Sequence, residues 1–262
     1  SSSYRGAYRI ERNLYKNAYG NKIIFEELNA DLNLTFRYQW APSERFGFVR
    51  HATLTSSTND SKSIRILDGV QNILPYGVPQ GLQSGSSNLV DAYKKCELEG
   101  DTLGIYALSA LISDKAEPSE SLKANVVWSL GMEQPKVLLC STQLEAFRTG
   151  AAVVTERDIK AERGAYFVQS DFVLDAGASK DWVIAADLGK SIRDAIRLRS
   201  DLESLKSLKQ DIFEDIEMLE RVIAASPVAP GDYDSRLAAL KTQAHDLDQV
   251  LTGDKSRAEV GD

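Results

Sequence analysis

Apolar and polar residues alternate strictly through residues 32–40, the clearest periodic stretch in the chain. Every second position there is apolar: Leu32, Leu34, Phe36, Tyr38 and Trp40. Successive side chains of a β-strand point to opposite faces of its sheet. The pattern therefore predicts a strand with one apolar and one polar face. Residues 17–28, just before it, predict a turn at Gly20-Asn21 followed by a further strand or hairpin arm.

Further short β segments follow at irregular intervals. They are residues 47–55, 63–67, 103–112, 124–132, 136–142, 165–174 and 181–188. Turn-forming residues separate several of them, and no helical pattern alternates with them. Such a series is typical of antiparallel sheets packed face to face. The sequence therefore predicts a mainly β fold, with a large antiparallel β-sandwich over residues 1–189.

The segment 63–81 begins as a strand and then contains the turn-forming pair Asp68-Gly69. We interpret Ile64–Leu67 as a sandwich strand that leaves the sheet through a turn at this pair. Three apolar side chains beyond the turn would anchor the following loop to the core: Val70, Ile73 and Leu74. The segment thus predicts packing rather than chemistry.

Near Gly189 the apolar spacing changes to steps of three and four. From Ser191 to Ala225 this spacing predicts one helix of about 33 residues. Two prolines and a glycine in residues 226–232 break that pattern. A second helix then carries one apolar side: Leu237, Leu240, Ala244, Leu247 and Leu251. Together the two stripes predict an α-helical hairpin linker over residues 190–262.

Two polar stretches have weaker patterns. We interpret residues 81–100 as a long loop or a short helix near 89–95, and residues 117–122 as a short helical turn that has Pro118 near its start.

The net charge of −7 argues against nucleic acid or an anionic membrane as a partner. A basic run does occur near the beginning of the chain, at Arg9, Arg12, Lys16 and Lys22. Acidic residues interrupt it at Glu11, Glu26 and Glu27, so we interpret this run as a solvated surface.

The two cysteines, Cys96 and Cys140, lie far apart and lack the spacing of metal ligands. We predict buried free thiols, which fit a reducing compartment and a cytoplasmic location. No apolar run approaches the roughly 18 residues that a membrane-spanning helix needs, and we expect no membrane partner.

Candidates for chemistry are few. His51 and His245 fall in different elements, so nothing predicts the paired histidines of a metal site. The fingerprints of nucleotide binding and of serine nucleophiles are missing. Glycosidase chemistry needs two carboxyl groups about 5–10 Å apart, and the carboxylates that could supply them are Asp68, Asp91, Glu97, Glu145 and Asp171. Each is equally a turn former, a cap or an exposed charge, so we assign no catalytic, cofactor or metal residue.

Aromatic side chains are better candidates for ligand binding, because indole and phenol rings can stack on the apolar faces of sugars. We predict that Tyr38, Trp128 and Trp182, which lie within strands, pack in the core. Trp40, at the end of a strand, and Tyr76, in a loop, are the candidate carbohydrate-binding residues.

Five blocks of sequence carry a family resemblance: YQWAPSERFGFVRHATL (38–54), RILDGVQNILPYGV (65–78), SNLVDAYKKCEL (87–98), AEPSESLKANVVWSLG (116–131) and ERGAYFVQSDFVL (162–174). Taken in order, they resemble the N-terminal half of large bacterial members of the cellobiose-phosphorylase family, of the 1,2-β-oligoglucan phosphorylase type. The similarity covers most of residues 8–225.

The resemblance implies a supersandwich-like antiparallel β-sandwich, a helical linker and then a helical-barrel catalytic domain. In this family the barrel carries the general acid and binds inorganic phosphate, which attacks the anomeric carbon. The chain ends before such a barrel could begin, so the resemblance carries over no catalytic residue.

We therefore predict a non-catalytic sandwich domain that supports a catalytic barrel of the same parent chain and contributes to binding of β-glucan oligosaccharides. Three alternatives remain. One is a self-standing carbohydrate-binding module. Another is an assembly domain whose helical hairpin pairs with a second copy in a homodimer. The third is a sandwich enzyme such as a sugar epimerase, which two distant histidines disfavour.

Overall fold

The structure is a computed structural model that describes residues 8–78, 80–109, 123–204 and 207–225. These residues form twelve strands: β1 Ile10–Lys16, β2 Ile23–Asn29, β3 Leu34–Ser43, β4 Gly47–Ser56, β5 Lys62–Ile73, β6 Lys94–Glu99, β7 Leu103–Leu108, β8 Lys123–Leu130, β9 Lys136–Leu138, β10 Asp158–Lys160, β11 Gly164–Leu174 and β12 Ser179–Ser191. They also form five helices: α1 Gln80–Gly85, α2 Ser87–Ala92, α3 Leu144–Arg148, α4 Ile192–Ser204 and α5 Leu208–Ala224.

The strands form two antiparallel sheets. A nine-stranded sheet has the order β1-β2-β3-β4-β12-β8-β7-β6-β10, and a three-stranded sheet has the order β5-β11-β9. Side chains from both sheets meet in one buried cluster, so the small sheet packs on one face of the large one. The predicted mainly β fold with an antiparallel β-sandwich is confirmed. We call this face of the large sheet its inner face.

Alternation along the strands decides which side chains enter the core between the sheets. On β3, Phe36 and Tyr38 point inward and pack against buried Trp182 and Ile184 of β12. Tyr166 of β11 enters from the small sheet, and its hydroxyl lies 2.9 Å from that of Ser129 on β8. The two sheets therefore share a core that is both apolar and hydrogen-bonded.

The other face of the large sheet, its outer face, is covered by α4 and α5. Leu208, Ile212 and Ile216 of α5 are buried against a second cluster that includes Val183 and Trp128. Burial of three such side chains contributes roughly 5–9 kcal/mol. The apolar stripe of the predicted helix thus packs on the sheet.

The predicted single helix over 191–225 is wrong in one respect, because α4 ends at Ser204 and α5 begins at Leu208. In addition, β12 runs to Ser191, two residues past the predicted boundary at Gly189. The predicted second helix around Leu237–Leu251 and the predicted turn at 117–122 lie outside the described residues.

The predicted turn at Asp68-Gly69 is wrong, since β5 continues through both residues to Ile73. Asp68 is buried and forms an ion pair with the buried Arg50 of β4. Its carboxylate also accepts a 2.7 Å hydrogen bond from the indole N–H of Trp182. A Cβ at Gly69 would lie 2.0 Å from the carbonyl oxygen of Tyr166, so close strand contact explains this glycine. We call Arg50, Asp68 and Trp182 the clasp, because Asp68 joins the small sheet to the large one.

Several elements escaped sequence analysis. The end of the predicted loop 81–100 contains β6, in which Lys94, Cys96 and Leu98 face the core. Lys94 broke the apolar alternation, yet it is buried and donates hydrogen bonds to Gln83 Oε1 and Asp91 Oδ1. A short helix near 89–95 was predicted as an alternative, and α2 (Ser87–Ala92) overlaps the first part of that range. The predicted buried free thiols are confirmed for both cysteines.

We expect Asp68→Ala to lower the free energy of unfolding by about 3–5 kcal/mol, because it leaves the buried Arg50 charge and the Trp182 N–H unpaired. Urea unfolding followed by circular dichroism measures this loss. The matched control is Asp171→Ala, which removes the exposed ion pair with Arg65 on the other face of the small sheet and should cost about 1 kcal/mol or less. Equal losses in the two variants would contradict the clasp.

Candidate functional site

The three-stranded sheet is too narrow to cover the whole inner face of the nine-stranded sheet. Within the part of the chain that the structure describes, a group of apolar side chains on β1, β2 and β3 is left partly or fully exposed, and we call it the inner strip: Leu14, Ile23, Phe25, Tyr38 and Trp40. Leu14 is 65% exposed, and Ile23 and Phe25 are each 36% exposed. Large apolar side chains grouped on an exposed face mark binding surfaces more often than isolated ones do.

Strand register places the inner strip in two cross-strand rows. Leu14 pairs with Phe25, which pairs with Tyr38, and in the next row Ile23 pairs with Trp40. Directly paired residues of antiparallel strands point to the same face, about 5 Å apart. The five side chains therefore form one continuous surface.

Tyr38 is held between two neighbours in this surface. The ring of Phe25 stacks on it with centroids 4.9 Å apart and an interplanar angle of 16°. From the next strand, the guanidinium of Arg50 lies 4.1 Å from its ring centroid. Both faces of Tyr38 are thus occupied, so it positions its neighbours instead of stacking on a ligand. Tyr38 also packs against the core, as predicted.

Trp40 is the one indole of the chain that is not buried. The sequence contains three tryptophans, and Trp128 and Trp182 are only 1% and 0% exposed, which confirms their predicted core packing. Trp40 is partly exposed. It lies between Ile23 of β2 and Arg50 of β4 in the cross-strand register.

Tyr76 lies elsewhere, in the loop after β5. Its ring packs on the backbone at Gly189, where a Cβ would lie 3.0 Å from a ring carbon. The ammonium group of Lys123 is 5.2 Å from the ring centroid. The Asn125 side chain holds this junction, because it donates to the carbonyl of Leu74 at 2.7 Å and accepts from the Gly189 N–H at 3.0 Å. The structure therefore does not bring Tyr76 and Trp40 together, and sugar binding by either residue stays a prediction.

Each carboxylate singled out in the sequence has a basic partner. Asp68 belongs to the clasp; the other pairs are Asp91 with Lys94 and Arg163, Glu97 with Lys95, Glu145 with Arg148, and Asp171 with Arg65. Burial opposes ionisation of Asp91, but hydrogen bonds from Lys94 and Gln83 outweigh it and lower its pKa. These contacts give the five carboxylates structural roles.

One buried carboxylate, Glu156, escaped sequence analysis. It accepts hydrogen bonds from the backbone N–H groups of Leu139 and Cys140 at 2.6 and 3.0 Å, and from the Gln143 side chain at 2.7 Å. No local motif signals these contacts, because they join segments 13 to 17 residues apart.

Burial raises the pKa of the Cys96 thiol to about 12, which keeps the thiol protonated at neutral pH.

His51 has a structural role. Its Nε2 lies 2.8 Å from a carboxylate oxygen of Asp181 on β12, and its ring meets that of Phe213 with centroids 4.8 Å apart. Lys209 of α5 forms an ion pair with the same carboxylate. This group of four side chains fastens α5 to the outer face.

Among the described residues, no three His, Cys, Asp or Glu side chains are grouped as a metal site would require. The described helices include none that is long and apolar enough to cross a membrane.

No protein-family model and no curated protein matches the sequence. Solved structures with a similar arrangement include a protein assigned as a kojibiose phosphorylase from the human microbiome, with a TM-score of 0.47 and 8% identity over 83% of this chain. A bacterial glucoamylase complexed with acarbose gives a TM-score of 0.45 and 5% identity over 79% of the chain. A heparinase III gives 0.32 and 9% identity over 70% of the chain. The chain spans about a quarter of these proteins, namely 25%, 27% and 22% of their lengths.

The contacts of Asp181 predict a pH dependence of stability. Burial opposes ionisation of this carboxyl, but hydrogen bonds from Lys209 and His51 lower its pKa overall. A carboxyl whose pKa is lower in the folded state stabilises the fold above its unfolded pKa of about 4, and this contribution is lost as the pH falls through the lowered value. We expect Asp181→Asn to cost about 1 kcal/mol at pH 7, and this cost should fall toward zero as the pH falls through the lowered pKa.

Urea unfolding at several pH values measures this difference. Glu145→Gln, in an exposed pair on α3, is the control and should change stability little at any pH. A cost of Asp181→Asn that stays constant down to the lowest pH would contradict the role of its charge.

Proposed function

We propose that the chain is the non-catalytic β-sandwich domain of a carbohydrate-active enzyme and that its inner strip binds carbohydrate through Trp40. The observation that carries this proposal is the position of Trp40. It is a partly exposed indole on an uncovered sheet face, while the other two tryptophans are buried.

The surroundings of Trp40 suit a sugar ring. An indole face attracts the C–H groups on the apolar side of a pyranose, and ordered neighbours reduce the entropy lost on binding. Trp40 stands on a rigid strand beside Arg50, which the clasp fixes. A ligand would thus meet a preorganised ring.

Polar groups suited to sugar hydroxyls border the same row. Lys16 of β1 pairs with Ile23, which pairs with Trp40, so Lys16 and Trp40 stand two strands apart. Two strand spacings correspond to about 10 Å. A linear oligosaccharide lying across the strands would place one sugar on Trp40 and extend its hydroxyls toward Lys16.

The resemblance of the five sequence blocks supports the finer part of the proposal. It implies a parent chain whose helical-barrel catalytic domain carries the general acid and binds inorganic phosphate. In that arrangement the present domain supports the barrel and shapes one side of its sugar groove. The substrate of the parent would be a β-glucan oligosaccharide.

Titration of the full chain with β-glucan oligosaccharides, followed by calorimetry and tryptophan fluorescence, tests the proposal. We expect saturable binding and a fluorescence change from Trp40. Trp40→Ala should weaken binding about five- to thirtyfold, because stacking on an indole contributes about 1–2 kcal/mol.

Tyr15→Ala is the matched control for this titration. Tyr15 is an exposed aromatic residue of β1, but it lies on the outer face, where its hydroxyl donates to Glu26 at 3.0 Å. Its replacement should leave sugar binding unchanged. Absence of saturable binding in the parent protein, or an equal loss in both variants, would overturn the carbohydrate proposal.

A second candidate function, assembly into a homodimer, is favoured by exposed apolar residues on the helices. Met218 and Val222, one turn apart on α5, are exposed, as are Ile192 and Ile196 on α4. Side chains at this spacing form a stripe on one side of a helix. Such stripes commonly pack against another helix.

Light scattering of the full chain tests assembly. If α5 joins two copies, the parent protein should be dimeric, and the double change Met218→Lys with Val222→Lys should yield monomers. Glu217→Lys, which alters an exposed charge on another side of the same helix, should leave the dimer intact. A monomeric parent protein would contradict assembly.

A further inference from the structure

A cleft of about 300 Å³ lies between α4 and the turn that joins β3 to β4. It is on the outer face of the large sheet, whereas the inner strip is on the opposite face. Its floor is apolar, formed by Phe46, Trp128 and Leu198. Its volume falls at the lower end of the range found for small-molecule sites.

Both rims of the cleft are fixed by hydrogen bonds. On one rim, the Asp215 carboxylate of α5 accepts from the backbone N–H groups of Glu44 and Arg45 at 2.9 and 3.2 Å. On the other rim, the Asp194 carboxylate accepts from the backbone N–H and the hydroxyl of Ser191 at 2.9 and 2.7 Å. The cleft is therefore preformed, and little ordering is needed when a ligand enters it.

Six charged side chains line the walls, but only three of them are committed to other contacts. Asp187 and Lys190 form an ion pair with each other, and Asp194 is held by Ser191. Within the described part of the chain, the side chains of Arg45, Arg197 and Asp201 make no hydrogen bond or ion pair. Arg45 lies over the Phe46 ring, 5.0 Å from its centroid.

The three available groups define the chemistry of a ligand. Arg45 and Arg197 are donors that suit the paired oxygens of a carboxylate or phosphate. Asp201 is an acceptor that suits a hydroxyl group. Their net charge is +1, which favours an anionic group on the ligand. The apolar floor suits the C–H face of a sugar ring.

We propose that this cleft binds a monosaccharide that carries one anionic group, either a carboxylate or a phosphate. Arg45 and Arg197 bind the anion, Asp201 accepts from a hydroxyl, and the ring lies against the partly exposed Leu198 of the floor. This site is independent of the inner strip, because the two surfaces lie on opposite faces of the sheet and share no residue.

Calorimetric titration of the full chain with gluconate, glucose 6-phosphate, glucose and inorganic phosphate tests the proposal. We expect both anionic sugars to bind at least tenfold more tightly than glucose and than phosphate alone. Binding of glucose as tight as that of the anionic sugars would overturn the role of the charge. Binding of phosphate as tight as that of glucose 6-phosphate would reduce the cleft to an anion site and would also overturn the proposal.

Variants locate the binding. Arg197→Ala and Asp201→Asn should each weaken glucose 6-phosphate binding about tenfold or more, the loss expected for a hydrogen bond to a charged group. Arg193→Ala, one turn before Arg197 on α4 but outside the lining of the cleft, is the matched control and should bind like the parent protein. Equal effects of all three changes would contradict the assignment. Trp40→Ala should leave glucose 6-phosphate binding intact. The proposal for the cleft can therefore fail or hold independently of the proposal that the inner strip binds carbohydrate.

Discussion

The ion pair between Arg50 and Asp68 is the constraint on which the rest of the structure depends. Both side chains are buried, and removing two charges from water is costly unless each finds a partner. Asp68 satisfies both Arg50 and the indole N–H of Trp182, so β5 is held in one register over β4 and β12. A shift of β5 by one residue would point Asp68 outward and leave Arg50 unpaired. The pair thus favours one register of the two sheets over others that would bury a similar apolar area. It also fixes the Arg50 guanidinium against the ring of Tyr38.

Local patterns predicted most strands but not the path of the chain between the sheets. Strict alternation identified β3, and short apolar runs identified β4, β8, β11 and β12. At Asp68-Gly69 the same reasoning failed, because two turn-forming residues occupy a continuous strand for reasons that lie in other elements. Gly69 is required by the closely approaching backbone of Tyr166, and Asp68 by a charge on β4. A sequence shows which residue types occur but not which distant partner satisfies them. β6 was not predicted for the same reason, because the partners that allow Lys94 to be buried lie outside the strand.

The candidate site likewise combines a residue that the sequence could single out with surroundings that it could not predict. Trp40 was singled out as lying at the end of a strand, but β3 continues to Ser43, so Trp40 lies inside the strand. The inner strip around it could not be predicted, because the strip is uncovered only through a difference in sheet width, nine strands against three. β1 was not predicted as a strand, because its charged residues were interpreted as a solvated surface. It nevertheless contributes Leu14 to the inner strip. The cleft beside α4 depends on Asp215 and Asp194, which anchor two rims that are distant in sequence.

The helices show how a correct periodicity can suggest the wrong neighbour. The spacing of Leu208, Ile212 and Ile216 identified an apolar stripe, and a helical hairpin was the simplest way to bury it. The sheet buries it instead, against Val183 and Trp128. The described helices of the predicted linker, α4 and α5, therefore share a core with the large sheet. Since these contacts cover the outer face, a chain cut at the predicted boundary would expose the apolar floor beneath α5. Helices α4 and α5 consequently protect the outer face of the sheet from water through the apolar side chains of this shared core.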